Sequence, residues 1–154
     1  MSALPPDAVR AVVEKELDAA WGWAARHDWT LQWDSEHLML RGATYHPRVK
    51  QLIEVTADAD GYRAVPPAWR FVRPGSDDLG PEWFPQLTLN VMCDGSPVLC
   101  APWNRLAYRE NGGPHENWSG GSWLQVTEGT VAHTIPDMLG LIDAHLQSSG
   151  GMVV

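Results

Sequence analysis

The side chains of this 154-residue sequence best suited to covalent or proton-transfer chemistry near neutral pH are two cysteines and six histidines. Cys100 ends the run DGSPVLC. It reads either as a reactive thiol or as a small hydrophobe packed behind Val98 and Leu99. A cysteine thiol ordinarily titrates near pH ~8.5, so a small fraction is thiolate at neutrality and modest help from its surroundings activates it. Cys93 reads as a packed or loop cysteine. His115, in GGPHENW, falls in a long loop from which a general base can approach Cys100 or an attacking amine; the plainer alternative is a loop histidine with no role. His133 precedes a helix start and reads as packing there. Cys93, Cys100, His115 and His133 are zinc-ligand types, but the sequence holds neither a CxxC pair nor a close His pair, so no metal and no cofactor is expected. One bridge between the two cysteines is formally open, although both are expected to be free thiols in a reducing compartment.

The elements that must position these residues are legible in the apolar spacing. Pro5, Pro6 and Asp7 begin a helix with Asp7 as its N-cap, and Val9, Val12, Val13, Leu17, Ala20, Trp21 and Ala24 recur at helical intervals, which predicts a helix over 7–25. Trp29, Leu31 and Trp33 alternate, as do Leu38 and Leu40, and Leu52, Ile53 and Val55 follow, so 29–57 predicts two or three antiparallel strands. Trp69–Val72 adds another strand, 74–85 reads as irregular and 87–91 as a short extended piece. The stretch 101–132 is expected to be mostly loop. Thr134, Ile135, Pro136 and Asp137 form a capping-box-like start, and Ile135, Met138, Leu139, Ile142 and Leu146 make one apolar stripe to about residue 147. Helix, antiparallel meander, long loop and helix is an α+β order in one domain, with a short flexible tail over 148–154.

Composition narrows the classes of function. Eleven Lys plus Arg against nineteen Asp plus Glu give a net charge of −8, and the basic residues are scattered, so no nucleic-acid footprint is present. No apolar run approaches a membrane span and MSALPPDAVR is not a signal peptide, from which a cytoplasmic protein without membrane partners is expected. Nine tryptophans supply large buried areas, and those of the long loop, Trp103, Trp118 and Trp123, together with Tyr108, are expected to dock it as an ordered flap beside Cys100.

Five segments in this order carry a family resemblance: an N-terminal amphipathic helix leading into strands, GYRAVPPAWRF over 61–71, LTLN over 87–90, DGSPVLC over 94–100, and Trp118 ahead of HTIPDMLGLIDAHL over 133–146. Together they resemble the ubiquitin-conjugating enzyme (E2, UBC-like) fold across about residues 8–147. The resemblance implies that Cys100 takes the C-terminal carboxyl of a ubiquitin-like protein from an E1-like activating enzyme as a thioester and passes it to an amine on a protein target. It implies that Asn90 stands for the asparagine of the family's HPN motif, stabilising an oxyanion or holding the active-site loop, and that the helix face carrying Arg10 and Lys15 meets the E1-like enzyme. This sequence departs from the family pattern at Arg63 after Tyr62, at Thr88 and Leu89 before Asn90, in the two extra residues between Gly95 and Cys100, and in the long loop after Cys100. The chain stops soon after residue 147, without room for two further C-terminal helices. These departures are more similar to the bacterial E2-like proteins encoded beside an E1-like enzyme, a ubiquitin-like protein and often a JAB-type peptidase in operons linked to anti-phage defence. A catalytically silent E2 variant that only binds a ubiquitin-like protein or an E1 is the alternative of a different class, although such variants lack the cysteine. A cysteine hydrolase using Cys100 and His115 is a third; Pro102 and the strand-like residues before Cys100 disfavour the helix N-terminus that commonly activates such nucleophiles.

Overall fold

The computed structural model describes residues 4–87, 91–93 and 98–154. Helix α1, Pro6–Arg26, opens with proline in its first turn, where the missing N–H costs nothing. It buries Val9, Val13, Leu17, Ala20 and Ala24, one stripe at three- and four-residue intervals. Asp7 lies inside the first turn and is not the cap; its carboxylate accepts from Arg10 at 2.6 Å, and the N-cap position is Pro5. The helix stops at His27, and Asp28, in the left-handed region at φ +58°, turns the chain into the sheet.

Four strands follow as a sequential antiparallel meander: β1 Thr30–Asp34, β2 Met39–Tyr45, β3 Leu52–Asp58 and β4 Ala68–Val72. Register pairs Leu31 with Gly42, Gly42 with Val55, Leu40 with Ala57, Val55 with Phe71 and Ala57 with Trp69, so these residues line one buried face. Leu38, grouped by its spacing with the strand residue Leu40, instead occupies the β1–β2 turn at φ +55°. Helix α2, Ile135–Gln147, packs beside α1 through Ile135, Met138, Leu139, Ile142 and Leu146. Its start is the expected one: Thr134 is the N-cap, its hydroxyl accepting from the Asp137 N–H at 3.4 Å.

Glu16 ties the layers together. Its carboxylate accepts from the Tyr62 hydroxyl at 2.8 Å and the Ile135 N–H at 2.7 Å, and Arg63 Nε lies 3.7 Å away. One carboxylate thus joins α1, the turn after β3 and the N-terminus of α2, where negative charge is favoured. Burial, reinforced by Glu16, raises the Tyr62 phenol well above its ordinary range, so it stays a donor.

The residues from 101 to 132 are irregular, as expected, with single turns at Arg105–Ala107 and Arg109–Asn111 and a kinked pair over Gly120–Gln125. They are docked by buried Trp103, Tyr108, Trp118 and Trp123. The end of the chain corrects an expectation. Residues 148–154, expected to form a flexible tail, are paired to 84–86: Pro85 bridges Met152, Gln86 N donates to Gly151 O at 2.8 Å and Val153 N donates to Phe84 O at 2.9 Å. Buried Ser149 locks the turn, donating to Gln86 O at 2.7 Å and accepting from His46 Nε2 at 2.8 Å.

Candidate active site

Cys100 closes a short antiparallel pairing. Met92 bridges Leu99, the Cys93 N–H donates to Val98 O at 2.6 Å, and the Cys100 N–H donates to Val91 O at 2.7 Å. Side chains alternate along each arm, so Leu99 enters the core while Val98 and Cys100 share the other face with Cys93, which is diagonal to Cys100. Both cysteines are free thiols, Cys93 buried and Cys100 half-buried. Burial first, and then the neighbouring Cys100 thiol, push the Cys93 thiol up to about 12, which removes it as a nucleophile near neutral pH.

Asn104 holds this pairing against the sheet. The amide is 0% exposed; its oxygen accepts from Trp69 N at 2.9 Å and Leu106 N at 3.2 Å, and its nitrogen donates to Leu99 O at 3.0 Å. Trp69 of β4 thereby finds its partner in a side chain, and the residue before Cys100 is fixed to the same amide. Arg105 fastens the same turn, donating to Asp60 O at 2.7 Å and Asp58 O at 2.9 Å.

The following loop brings His115 back to the thiol. His115 N donates to Ala107 O at 3.1 Å, and Arg109 N donates to His115 O at 3.2 Å. Only glycine fits at position 113 in this return, because a Cβ there would lie 2.2 Å from the Ala107 carbonyl carbon. His115 Nε2 then lies 2.8 Å from Cys100 Sγ. The imidazole stacks on Trp118, ring centroids 3.6 Å apart and planes 5° from parallel, and the Trp118 indole donates to Glu128 at 3.2 Å. Burial lowers the His115 pKa below its ordinary 6.5, with the Glu128 charge opposing. In the neutral tautomer protonated at Nδ1, Nε2 is the ring atom able to accept a proton from the sulfur.

Of the residues singled out in the sequence, Cys100 and His115 come together, and Cys93 stands beside Cys100 on the pairing. His133 is elsewhere, edge-on to Trp123 at 6.1 Å, its carbonyl accepting from Arg63 at 2.7 Å. Asn90 lies outside the described residues. On α1, Lys15 is exposed, whereas Arg10 is held by Asp7 and by Ser35 O at 2.6 Å. Among the described residues no three His, Cys, Asp or Glu side chains converge as a metal-binding group, and no helix is long and apolar enough to cross a membrane. Asn104 and Glu128 were not legible as site residues. Their partners are 35 and 10 positions away in sequence, and a lone Asn or Glu in a Pro- and Trp-rich loop carries no periodic signal.

A cleft of about 400 Å³ is lined by Arg70, Cys93, Val98, Leu106, Gly112 and Gly113 among others; neither Cys100 nor His115 lines it. A wider depression of about 810 Å³ over the β1–β2 turn, bordered by Trp33, Asp34 and His37, does not include either catalytic candidate. A thiol in contact with an imidazole can attack an activated carbonyl and hold the acyl group as a thioester. No family model, no curated protein and no solved structure matches this chain.

Proposed function

We propose that this chain is an E2-like carrier: it accepts a ubiquitin-like protein from an E1-like enzyme as a thioester on Cys100 and transfers it to an amine on a protein target. The observation that carries the reading is the 2.8 Å contact between Cys100 Sγ and His115 Nε2. The order of helix, four-stranded antiparallel meander, thiol-bearing segment and helix supports the UBC-like resemblance stated from the sequence.

In the loading step His115 takes the Cys100 proton, and Sγ forms a bond to the carbonyl carbon of the activated C-terminus. The bond from that carbon to the E1 thiolate or the adenylate phosphate breaks, and the leaving group departs with the electron pair. His115 releases the proton taken from Cys100 to solvent before discharge; the target nitrogen then attacks the same carbon, its proton passes to His115, the C–S bond breaks with the electron pair going to sulfur, and His115 returns the proton to Sγ as the thiol. In this proposal Asn90 donates its amide to the oxyanion formed in each step. The bacterial conjugation operons of anti-phage defence are the setting that the resemblance implies.

Hydrolysis is the competing outcome of the same geometry, with water in place of the amine. In this proposal the acyl group on Cys100, which is followed by a turn rather than an α-helix, waits for a nucleophile delivered by the partner complex. The test incubates the chain with its E1-like enzyme, the ubiquitin-like protein and ATP. The expected adduct is cleaved by thiol reductant, vanishes in Cys100→Ala, persists in Cys93→Ala, and becomes a reductant-resistant oxyester in Cys100→Ser. An adduct lost in Cys93→Ala and kept in Cys100→Ala overturns the assignment. Release of free ubiquitin-like protein at the same rate with and without added amine makes the chain a hydrolase.

A further inference from the structure

We infer that Trp118 and Glu128 are positioning residues of the Cys100–His115 couple: the indole is the plane on which the imidazole is held at the thiol, and Glu128 fixes that plane. The inference rests on Cys100 and His115 working as a pair and not on the identity of the acyl group.

A histidine on a loop has two free side-chain torsions, so a 2.8 Å contact with sulfur survives only where something removes the other rotamers. Trp118 supplies this with near-parallel overlap, at 3.6 Å between centroids and 5° between planes. The indole is itself wedged. Tyr108 packs on it at 5.4 Å and is pinned by its hydroxyl to Pro102 O at 2.6 Å, while the indole N–H is taken by Glu128 at 3.2 Å. Ser119 and Gly120, directly after Trp118, are held in turn by the Gly120 N–H donating to Glu110 at 2.9 Å.

The same two residues act on the proton affinity of His115 in opposite senses. Trp118 covers one face of the ring and withholds water from the imidazolium, while Glu128 favours it. The other groups about the ring are Cys100 in contact and the exposed Arg109–Glu116 pair at 3.4 Å on its own loop. Glu128 is itself exposed, so its influence is small and weakens with salt.

The experiment uses the full chain in a Cys93→Ala background, where Cys100 is the one thiol left, and follows alkylation by iodoacetamide from pH 5 to 9 alongside the His115 Cε1–H resonance. Glu128→Gln is expected to move the His115 titration to lower pH, and 0.5 M salt to do the same to the parent. Trp118→Leu is expected to move it upward toward the ordinary histidine range and to slow alkylation at pH 7 by about tenfold, as the ring leaves the sulfur. Trp118→Phe, which keeps a ring under the imidazole, is expected to restore the rate to within about twofold. A folded Trp118→Leu protein with the parent rate and titration overturns the inference, and so does an unchanged titration in Glu128→Gln, a surface change that leaves the core intact. No E1-like enzyme or ubiquitin-like protein takes part, so a normal alkylation profile combined with no thioester in the transfer assay counts against the carrier function and leaves this inference standing.

Discussion

At the scale of single residues, the two thiols are chemically unequal although they share one face of the same pairing. Cys93 is 3% exposed and its thiol is pushed up to about 12, so it stays protonated throughout the working range. Cys100 is half-exposed and has an imidazole at 2.8 Å. The sequence named both this thiol and this histidine, because a cysteine in an ordered motif and a histidine in a long loop are visible as residue types. The support beneath them was not visible, since stacking and hydrogen bonding to Trp118, Glu128 and Asn104 depend on chain paths that carry no local pattern. His115 accepts a proton in both steps, but its weight differs. A thiol gives up its proton readily, whereas an amine attacking a thioester must shed a proton as the C–N bond forms. His115→Ala is therefore expected to slow single-turnover discharge to free lysine by about 100-fold at pH 7.5 while loading falls far less. Because burial holds the His115 pKa below 6.5, the wild-type advantage is full at pH 7 and fades as pH drops through that lower value. Equal discharge by His115→Ala and wild type from pH 6 to 9 makes the histidine a bystander and moves the supporting role to Asn90.

At the scale of elements, what was legible follows from periodicity. The stripe Val9, Val13, Leu17, Ala20 and Ala24 gave α1 to within a residue at each end, and Ile135, Met138, Leu139, Ile142 and Leu146 gave α2 with its Thr134 cap. Alternation gave the strands, though Leu38 shows that alternation continues into a turn where φ turns positive. After β4 the pattern fails, because the chain there is organised by side chains bonding to backbone. Asn104 is the clearest case: one buried amide bonds Trp69 of β4 and holds the Cys100 segment to it. Asn104→Ala leaves Trp69 N and Leu106 N without this partner, each unmet buried group costing about 1–3 kcal/mol less whatever water recovers, while Leu99 O keeps the Ala101 N–H at 3.2 Å. The expected loss is about 3 kcal/mol in urea unfolding, with Cys100 alkylation slowed even in the folded fraction. Asn104→Asp retains the acceptor but not the donor and is expected to fall between; an Asn104→Ala protein within about 0.5 kcal/mol of wild type removes this residue from the frame.

At the scale of the whole molecule, the last residues close the fold rather than trail from it, and a histidine governs that closure. His46 is fully buried; its Nδ1 accepts from Arg48 N at 3.1 Å and Val49 N at 3.3 Å, and its Nε2–H donates to Ser149, which in turn donates to Gln86 O. The two bonds accepted at Nδ1 require a neutral ring, whose one remaining N–H is then the Nε2–H given to Ser149. Burial, followed by Arg48 and Lys50, lowers the His46 pKa from 6.5, and burial lowers those of His115 and His145 as well. The folded chain therefore binds fewer protons than the unfolded one at mildly acid pH. Stability that is complete above the unfolded value of 6.5 is lost as pH falls from there toward the lower folded values. His37, exposed and raised by its hydrogen bond to Asp34, contributes in the opposite sense at the surface, where solvent screens it. Tm is thus expected to decline between pH 7 and pH 5, and His46→Asn, whose amide oxygen can accept the two backbone N–H groups without taking a proton, is expected to start lower and to decline less steeply. The tail itself reports the cause: amide exchange at Gln86 and Val153, whose N–H groups donate to Gly151 and Phe84, should accelerate on acidification in wild type and much less in His46→Asn. If the two proteins share one slope of Tm against pH and one exchange response, His46 does not couple protonation to the closing of the C-terminal pairing.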